Sequence, residues 1–172
     1  MTALLLVRHG ETDWNAEGRL QGQTDTPLND YGRRQARGLA EQLAGERLDA
    51  VYASDLARAR ETAEILAGPL GLPVELDAGL REKNWGNWEG LTSTERDRVV
   101  YVGESTQAHR ERTLAALHRI ADRHPGGRVL VVTHGGSIRR IQAAATGIAL
   151  PVLENCGRWW CACEDGVLRA ID

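Results

Sequence analysis

Val129-Leu130-Val131-Val132-Thr133-His134-Gly135-Gly136 repeats, late in the chain, a device already used at Ala3-Leu4-Leu5-Leu6-Val7-Arg8-His9-Gly10. Each is a short aliphatic run without polar alternation, closed by a polar residue, a histidine and glycine. Such runs suit parallel strands buried on both faces, and the binding groups of open α/β sheets sit just beyond the carboxyl ends of those strands. The pattern predicts two imidazoles facing one crevice.

Strand and helix signals alternate around these two runs. A loop follows the first strand to about Pro27. Asn29 is then a candidate N-cap for a helix with Ala36, Leu39, Ala40 and Leu43 at i, i+3, i+4 and i+7. Residues 48–53 read as a strand, and Ser54 or Asp55 is expected to cap a helix carrying Ala59, Thr62, Ala63 and Leu66 on one side. Gly68, Pro69 and Gly71 end it. Residues 73–76 form a short strand before an irregular stretch. A long helix over 105–123 buries Leu114, Leu117, Ile120 and Ala121 and stops at Pro125-Gly126-Gly127. The strand over 128–133, a helix over 136–146 and a hairpin of 156–163 with 167–171 complete the chain. The expected fold is α/β: a three-layer α/β/α sandwich whose central sheet is mostly parallel with an antiparallel edge strand.

With 172 residues and 42% hydrophobic content, the chain suits a single domain over 1–172. A net charge of -3 with both signs interspersed argues against a nucleic-acid or anionic-membrane surface, so the expected partner is a small molecule. The expected assembly is a monomer or homodimer. Of the 21 basic residues only Lys83 is lysine, a bias better explained by coding composition than by phosphate binding, so each arginine is taken as a surface residue unless its position argues otherwise. Cys156, Cys161 and Cys163 are odd in number and lack Cys-x-x-Cys spacing. They are expected to be reduced thiols of a cytoplasmic protein, neither a disulfide frame nor a zinc site. The apolar run after Thr2 is too short for a signal-peptide core, and no stretch approaches transmembrane length.

The first run continues as Arg8-His9-Gly10-Glu11-Thr12-Asp13-Trp14-Asn15. After it come Gly22 with the stretch from Asp25 to Gly32, then Ser54-Asp55-Leu56-Ala57-Arg58-Ala59-Arg60-Glu61-Thr62-Ala63. Leu80-Arg81-Glu82, Trp85-Gly86-Asn87-Trp88-Glu89-Gly90, Gly103-Glu104-Ser105 and Thr133-His134-Gly135-Gly136 follow. In this order and spacing the motifs resemble the histidine phosphatase superfamily, also called phosphoglycerate-mutase-like, over almost the whole chain. The resemblance implies phosphomonoester hydrolysis through a phosphohistidine, with no cofactor and no metal.

Such chemistry needs a nucleophile, compensation for phosphoryl charge and a proton for the leaving oxygen. A neutral histidine at a buried strand end can attack phosphorus, and the resemblance assigns this to His9. Arg8 and Arg58 are singled out because planar guanidinium forks match phosphate oxygens, and Arg58 falls in the first turn of its helix, where amides also favour an anion. Arg60 points away at this spacing, and Arg81 is left unassigned. The resemblance implies that His134 hydrogen-bonds the phosphoryl group, with the Gly135 amide as a further donor. Glu82 is the expected proton donor, since like charge and desolvation both favour a neutral carboxyl beside a phosphate dianion. Glu11 is expected to orient the histidine loop and Glu89 the turn at Gly90. Asn15 and Gly22 are expected at the substrate, with Thr12 supporting the loop. His109, His118 and His124 have no counterpart in the family pattern and are given solvated or packing roles; none stands in metalloenzyme company such as His-Glu-x-x-His.

Family members usually carry a longer cap than the short segment near 91–102. This places substrate specificity in question more than the chemistry, with Trp85, Trp88 and Tyr101 as candidates for the mouth. The glycolytic mutases have a basic insertion and a tail that hold bisphosphate; this sequence lacks the insertion, which favours a phosphatase. Mutase-type phosphoryl transfer, and an idle phospho-ligand or protein-binding module on the same fold, stay open as alternatives.

Overall fold

The computed structural model describes residues 1–171. Its strands are β1 (Thr2–Arg8), β2 (Ala50–Ala53), β3 (Val74–Leu76), β4 (Arg128–Thr133), β5 (Arg158–Glu164) and β6 (Val167–Ala170). They form one six-stranded sheet in the order β3-β2-β4-β1-β5-β6. The first four run parallel, while β5 pairs antiparallel with β1 and with β6. The two aliphatic runs are immediate neighbours, with Leu5 opposite Leu130 and Arg8 opposite Thr133. His9 adds one more rung, its N–H donating to the Thr133 carbonyl at 3.0 Å. Both histidines therefore leave the sheet at one level.

The helices are α1 (Asp13–Ala16), α2 (Asp30–Leu43), α3 (Ala57–Ala67), α4 (Ser93–Arg96), α5 (Thr106–Arg123) and α6 (Gly135–Thr146), of which α2, α3, α5 and α6 cover the two faces of the sheet. Period-two alternation along β1 and β4 divides the core. Leu5, Val7, Leu130 and Val132 pack against Leu39, Leu43, Ala63 and Leu66 of α2 and α3. Leu4, Leu6, Val129 and Val131 pack against Leu117, Ile120, Ile138 and Ile141 of α5 and α6. This is the three-layer arrangement expected of strands that are apolar on both sides.

The expected cap at Asn29 forms, accepting from Gly32 N–H at 2.8 Å; the long helix begins one residue later than expected, with Ser105 as its cap accepting from Ala108 N–H at 3.0 Å. The expected cap of α3 does not form. Its N-cap is Leu56, with no side-chain cap hydrogen bond. Ser54 turns to His134 and Asp55 to Arg81, while Asp25 from the distant loop accepts the Ala57 N–H at 2.7 Å. A remote carboxylate thus does what the adjacent residues were expected to do. The loop before Pro27 also holds a helical turn, α1, closed by a reciprocal pair between Thr12 and Asn15.

Candidate active site

The register of β1 and β4 brings the His9 and His134 ring centroids to 5.2 Å, edge to face. His9 Nδ1 lies 2.6 Å from the Gly10 carbonyl. A carbonyl can only accept, so Nδ1 carries the proton and Nε2 keeps its lone pair. His134 Nε2 lies 2.9 Å from Ser54 Oγ. Leu56 N–H donates to the same oxygen at 3.4 Å. Burial holds both imidazoles well below the usual histidine pKa. For His9 the cations Arg58 and Arg8 add to this; for His134 Arg58 is the next contributor, followed by His9.

Arg8 and Arg58 line the same cleft as His9. Arg58, the largest fully buried side chain, is 1% exposed. Its Nη2 donates to the Gly22 carbonyl at 2.7 Å and its Nη1 to the Thr24 carbonyl at 2.9 Å. Burial lowers its pKa to about 10, opposed by Glu82, Asp25 and Glu89, so it stays cationic at neutral pH. Arg8 Nη1 donates to the Leu153 carbonyl at 2.6 Å. Among the described residues, Arg8 Nε, Arg58 Nε and His134 Nδ1 are buried without a partner. Buried donors left open are costly unless a ligand meets them, and two guanidinium groups in one cleft with a bare imidazole nitrogen suit a tetrahedral oxyanion.

Glu82 lines the cleft with Asn15, Gly22, Gly135 and Gly136, so every sequence-predicted site residue reaches it except His134, which backs His9. The Glu82 carboxylate accepts from Lys83 N–H at 2.8 Å and Gly136 N–H at 2.9 Å. A Cβ at Gly136 would fall 2.5 Å from Glu82 Oε1, so only glycine allows this approach. Arg19, Leu20, Gln21, Trp85 and Val152 complete the lining of a cleft of about 140 Å³. Among the described residues no group of three or more His, Cys, Asp or Glu side chains is placed to hold a metal ion.

Several neighbours differ from expectation. Glu89 does not support the Gly90 turn through its side chain. Its carboxylate accepts from Gln23, Thr24 and Trp85 N–H groups and so staples the Gly22 loop. Gly22 has φ +55°, and its side-chain direction is filled by Glu89. Arg81, unassigned from sequence, pairs with Asp55 at 2.5 Å. Trp88 and Tyr101 pack with Trp85 and are not part of the cleft lining. His109 is neither solvated nor simple packing: it is buried 2.9 Å from Ser137 Oγ and 3.6 Å from Glu82 Oε1. Sequence reading missed Ser54 and Asn155, whose Nδ2 donates to the His9 carbonyl at 3.0 Å. Ser54 directly follows β2, so the strand-end rule that found the histidines also applied to it. Nothing local marks Asn155.

Comparison with known proteins agrees with this geometry. The family model described as "Histidine phosphatase superfamily (branch 1)" matches residues 4–158. The chain is similar to "Phosphoglycerate mutase-like protein 4" of Arabidopsis thaliana, 43% identical over 83% of this chain and 70% of that protein. It is 40% identical to "Metal-independent phosphoserine phosphatase" of the same plant, over 90% of this chain and 75% of that one. The solved structure of Bacillus stearothermophilus YhfR superposes with a TM-score of 0.91 at 34% identity, covering 99% of this chain and 95% of its own.

Proposed function

The chain belongs to the histidine phosphatase superfamily, and from that premise we propose that it hydrolyses a small-molecule phosphomonoester through a phosphohistidine on His9, without a metal or other cofactor. The observation that carries this is the bare His9 Nε2, directed by the Nδ1–Gly10 contact, in a cleft with two buried arginines whose Nε groups lack partners.

His9 Nε2 attacks phosphorus and forms the P–N bond as the P–O bond to the alcohol breaks. Arg8 and Arg58 hold the phosphoryl oxygens while charge redistributes, and the Gly135 amide at the start of α6 is a further donor; His134, which the resemblance places at the phosphoryl group, packs edge to face on His9 and is not part of the cleft lining. Glu82 gives its proton to the departing alkoxide. It then removes a proton from water, whose oxygen attacks phosphorus, breaks the P–N bond and releases phosphate. Asn15 and Gly22 shape the near wall, with Gly22 also anchoring Arg58.

The experiment is turnover of a panel of phosphorylated metabolites, with acid-quench trapping of 32P-labelled protein. The expected result is phosphate release that persists in EDTA, an acid-labile phosphoenzyme absent from H9A, and inhibition by vanadate. R58A should lose roughly a hundredfold or more in turnover, the scale of a lost transition-state charge donor. Activity abolished by EDTA and restored by a divalent ion would overturn the metal-free reading.

A further inference from the structure

His109 belongs to none of the steps above, yet it is a buried titratable group beside the proposed acid. It lies on α5, 1% exposed, with Nε2 2.9 Å from Ser137 Oγ on α6 and 3.6 Å from Glu82 Oε1. Ser137 donates its hydroxyl proton to the Arg81 carbonyl at 3.3 Å, so towards His109 its oxygen accepts. The imidazole proton is therefore on Nε2, between Ser137 Oγ and Glu82 Oε1, while Nδ1 has no partner among the described residues. Burial keeps this imidazole below the usual histidine pKa, partly opposed by Glu82.

Resting on the phosphatase reading above, we propose that His109 is a positioning residue for Glu82: its Nε2–H, donated to Ser137, turns its positive edge to Glu82 Oε1 at 3.6 Å and holds the carboxyl group in the attitude from which it delivers its proton. His109 does not line the cleft, so it acts only through Glu82. The other charged groups around it are Arg112 of its own helix, Glu104 just before that helix and Arg140 of α6. Those around Glu82 are Arg8, Arg58 and Lys83. Arg112 and Glu104 are bound to each other at 2.9 Å, and among the described residues His109 is the imidazole with a nitrogen 3.6 Å from the Glu82 carboxylate.

The chemistry supplies a discriminating test. An alkyl phosphate has a poor leaving group and needs the proton from Glu82, whereas p-nitrophenolate leaves with little help. H109L removes the donor while keeping bulk; H109Q restores an N–H near the Nε2 position. In H109L, kcat/KM for an alkyl phosphate should fall severalfold, since the 3.6 Å approach is an electrostatic contact and not a full hydrogen bond, while that for p-nitrophenyl phosphate falls much less. The alkaline limb of its kcat/KM profile should move to higher pH, because removing the positive ring edge that faces the carboxyl group favours its protonated form. H109Q should recover both readouts.

Equal losses on the two substrates, or unchanged kinetics on both, overturn the positioning role while leaving the phosphatase reading intact. A wild-type protein that releases phosphate from neither substrate overturns that reading and this proposal with it. Should H109L fail to fold, the H109Q and S137A variants decide: loss confined to the alkyl substrate in S137A, with H109Q near wild type, supports the role, and any other pattern rejects it.

Discussion

His9 and His134 are neutral because burial and two neighbouring guanidinium groups disfavour their charged forms. An unfolded histidine titrates near its ordinary value of about 6.5. Below that pH the unfolded chain binds protons that the folded one refuses, so stability is lost as pH falls through this window and is unaffected by these groups above it. His109 adds in the same direction. Each imidazole contributes a slope of at most about 1.4 kcal/mol per pH unit. Asp55, held low by Arg81, acts only in a separate window below the ordinary aspartate value of about 4. Urea midpoints should therefore fall between pH 7 and pH 5, with a shallower fall in H134N. A midpoint that is flat over that range would mean the imidazoles protonate in place.

At the scale of elements, the start of α3 carries Arg58 yet has no cap of its own. Asp25 serves instead, through a 2.7 Å bond from the Ala57 N–H, and this ties the Gly22 loop to the helix whose arginine binds that loop's carbonyls. Removing a helix cap typically costs about 1 kcal/mol. D25A should lower the unfolding free energy by that amount, and it should raise KM for phosphomonoesters, since loop and Arg58 lose a shared anchor. Chemical denaturation and steady-state kinetics measure the two effects. A variant as stable as wild type with unchanged KM would show that the Arg58–carbonyl bonds suffice.

For the whole molecule, the partition of a phosphohistidine between water and a second substrate hydroxyl depends on what roofs the cleft. The segment 91–102 contributes nothing to the cleft lining. It folds instead over the Trp88 side: Trp88 Nε1 donates to the Val99 carbonyl and Asn87 Nδ2 to the Val100 carbonyl, and Val100 is 84% exposed. On the proposed mechanism, a cleft that this segment does not cover leaves the phosphohistidine open to water. Parallel assays of 3-phosphoglycerate isomerisation and inorganic phosphate release should show release exceeding isomerisation by a wide margin. Fast isomerisation with negligible release would place the chain on the mutase side of its family.

The strands, their parallel packing and the pairing of the two histidines were legible in the sequence, because aliphatic runs buried on both faces report their own surroundings and strand ends carry their chemistry with them. Arg8, Arg58 and Glu82 were legible through motif order. Only the tertiary structure decided that Asp25 caps α3, that Glu89 staples the Gly22 loop, that Asn155 braces the His9 carbonyl and that His109 stands behind Glu82. Each of these is a polar contact between segments 32 or more residues apart, or between a helix and a loop it never adjoins in the chain. A directional bond of about 3 Å depends on how the layers are finally stacked, and hydrophobic periodicity, which sets only which face is buried, carries no information at that precision.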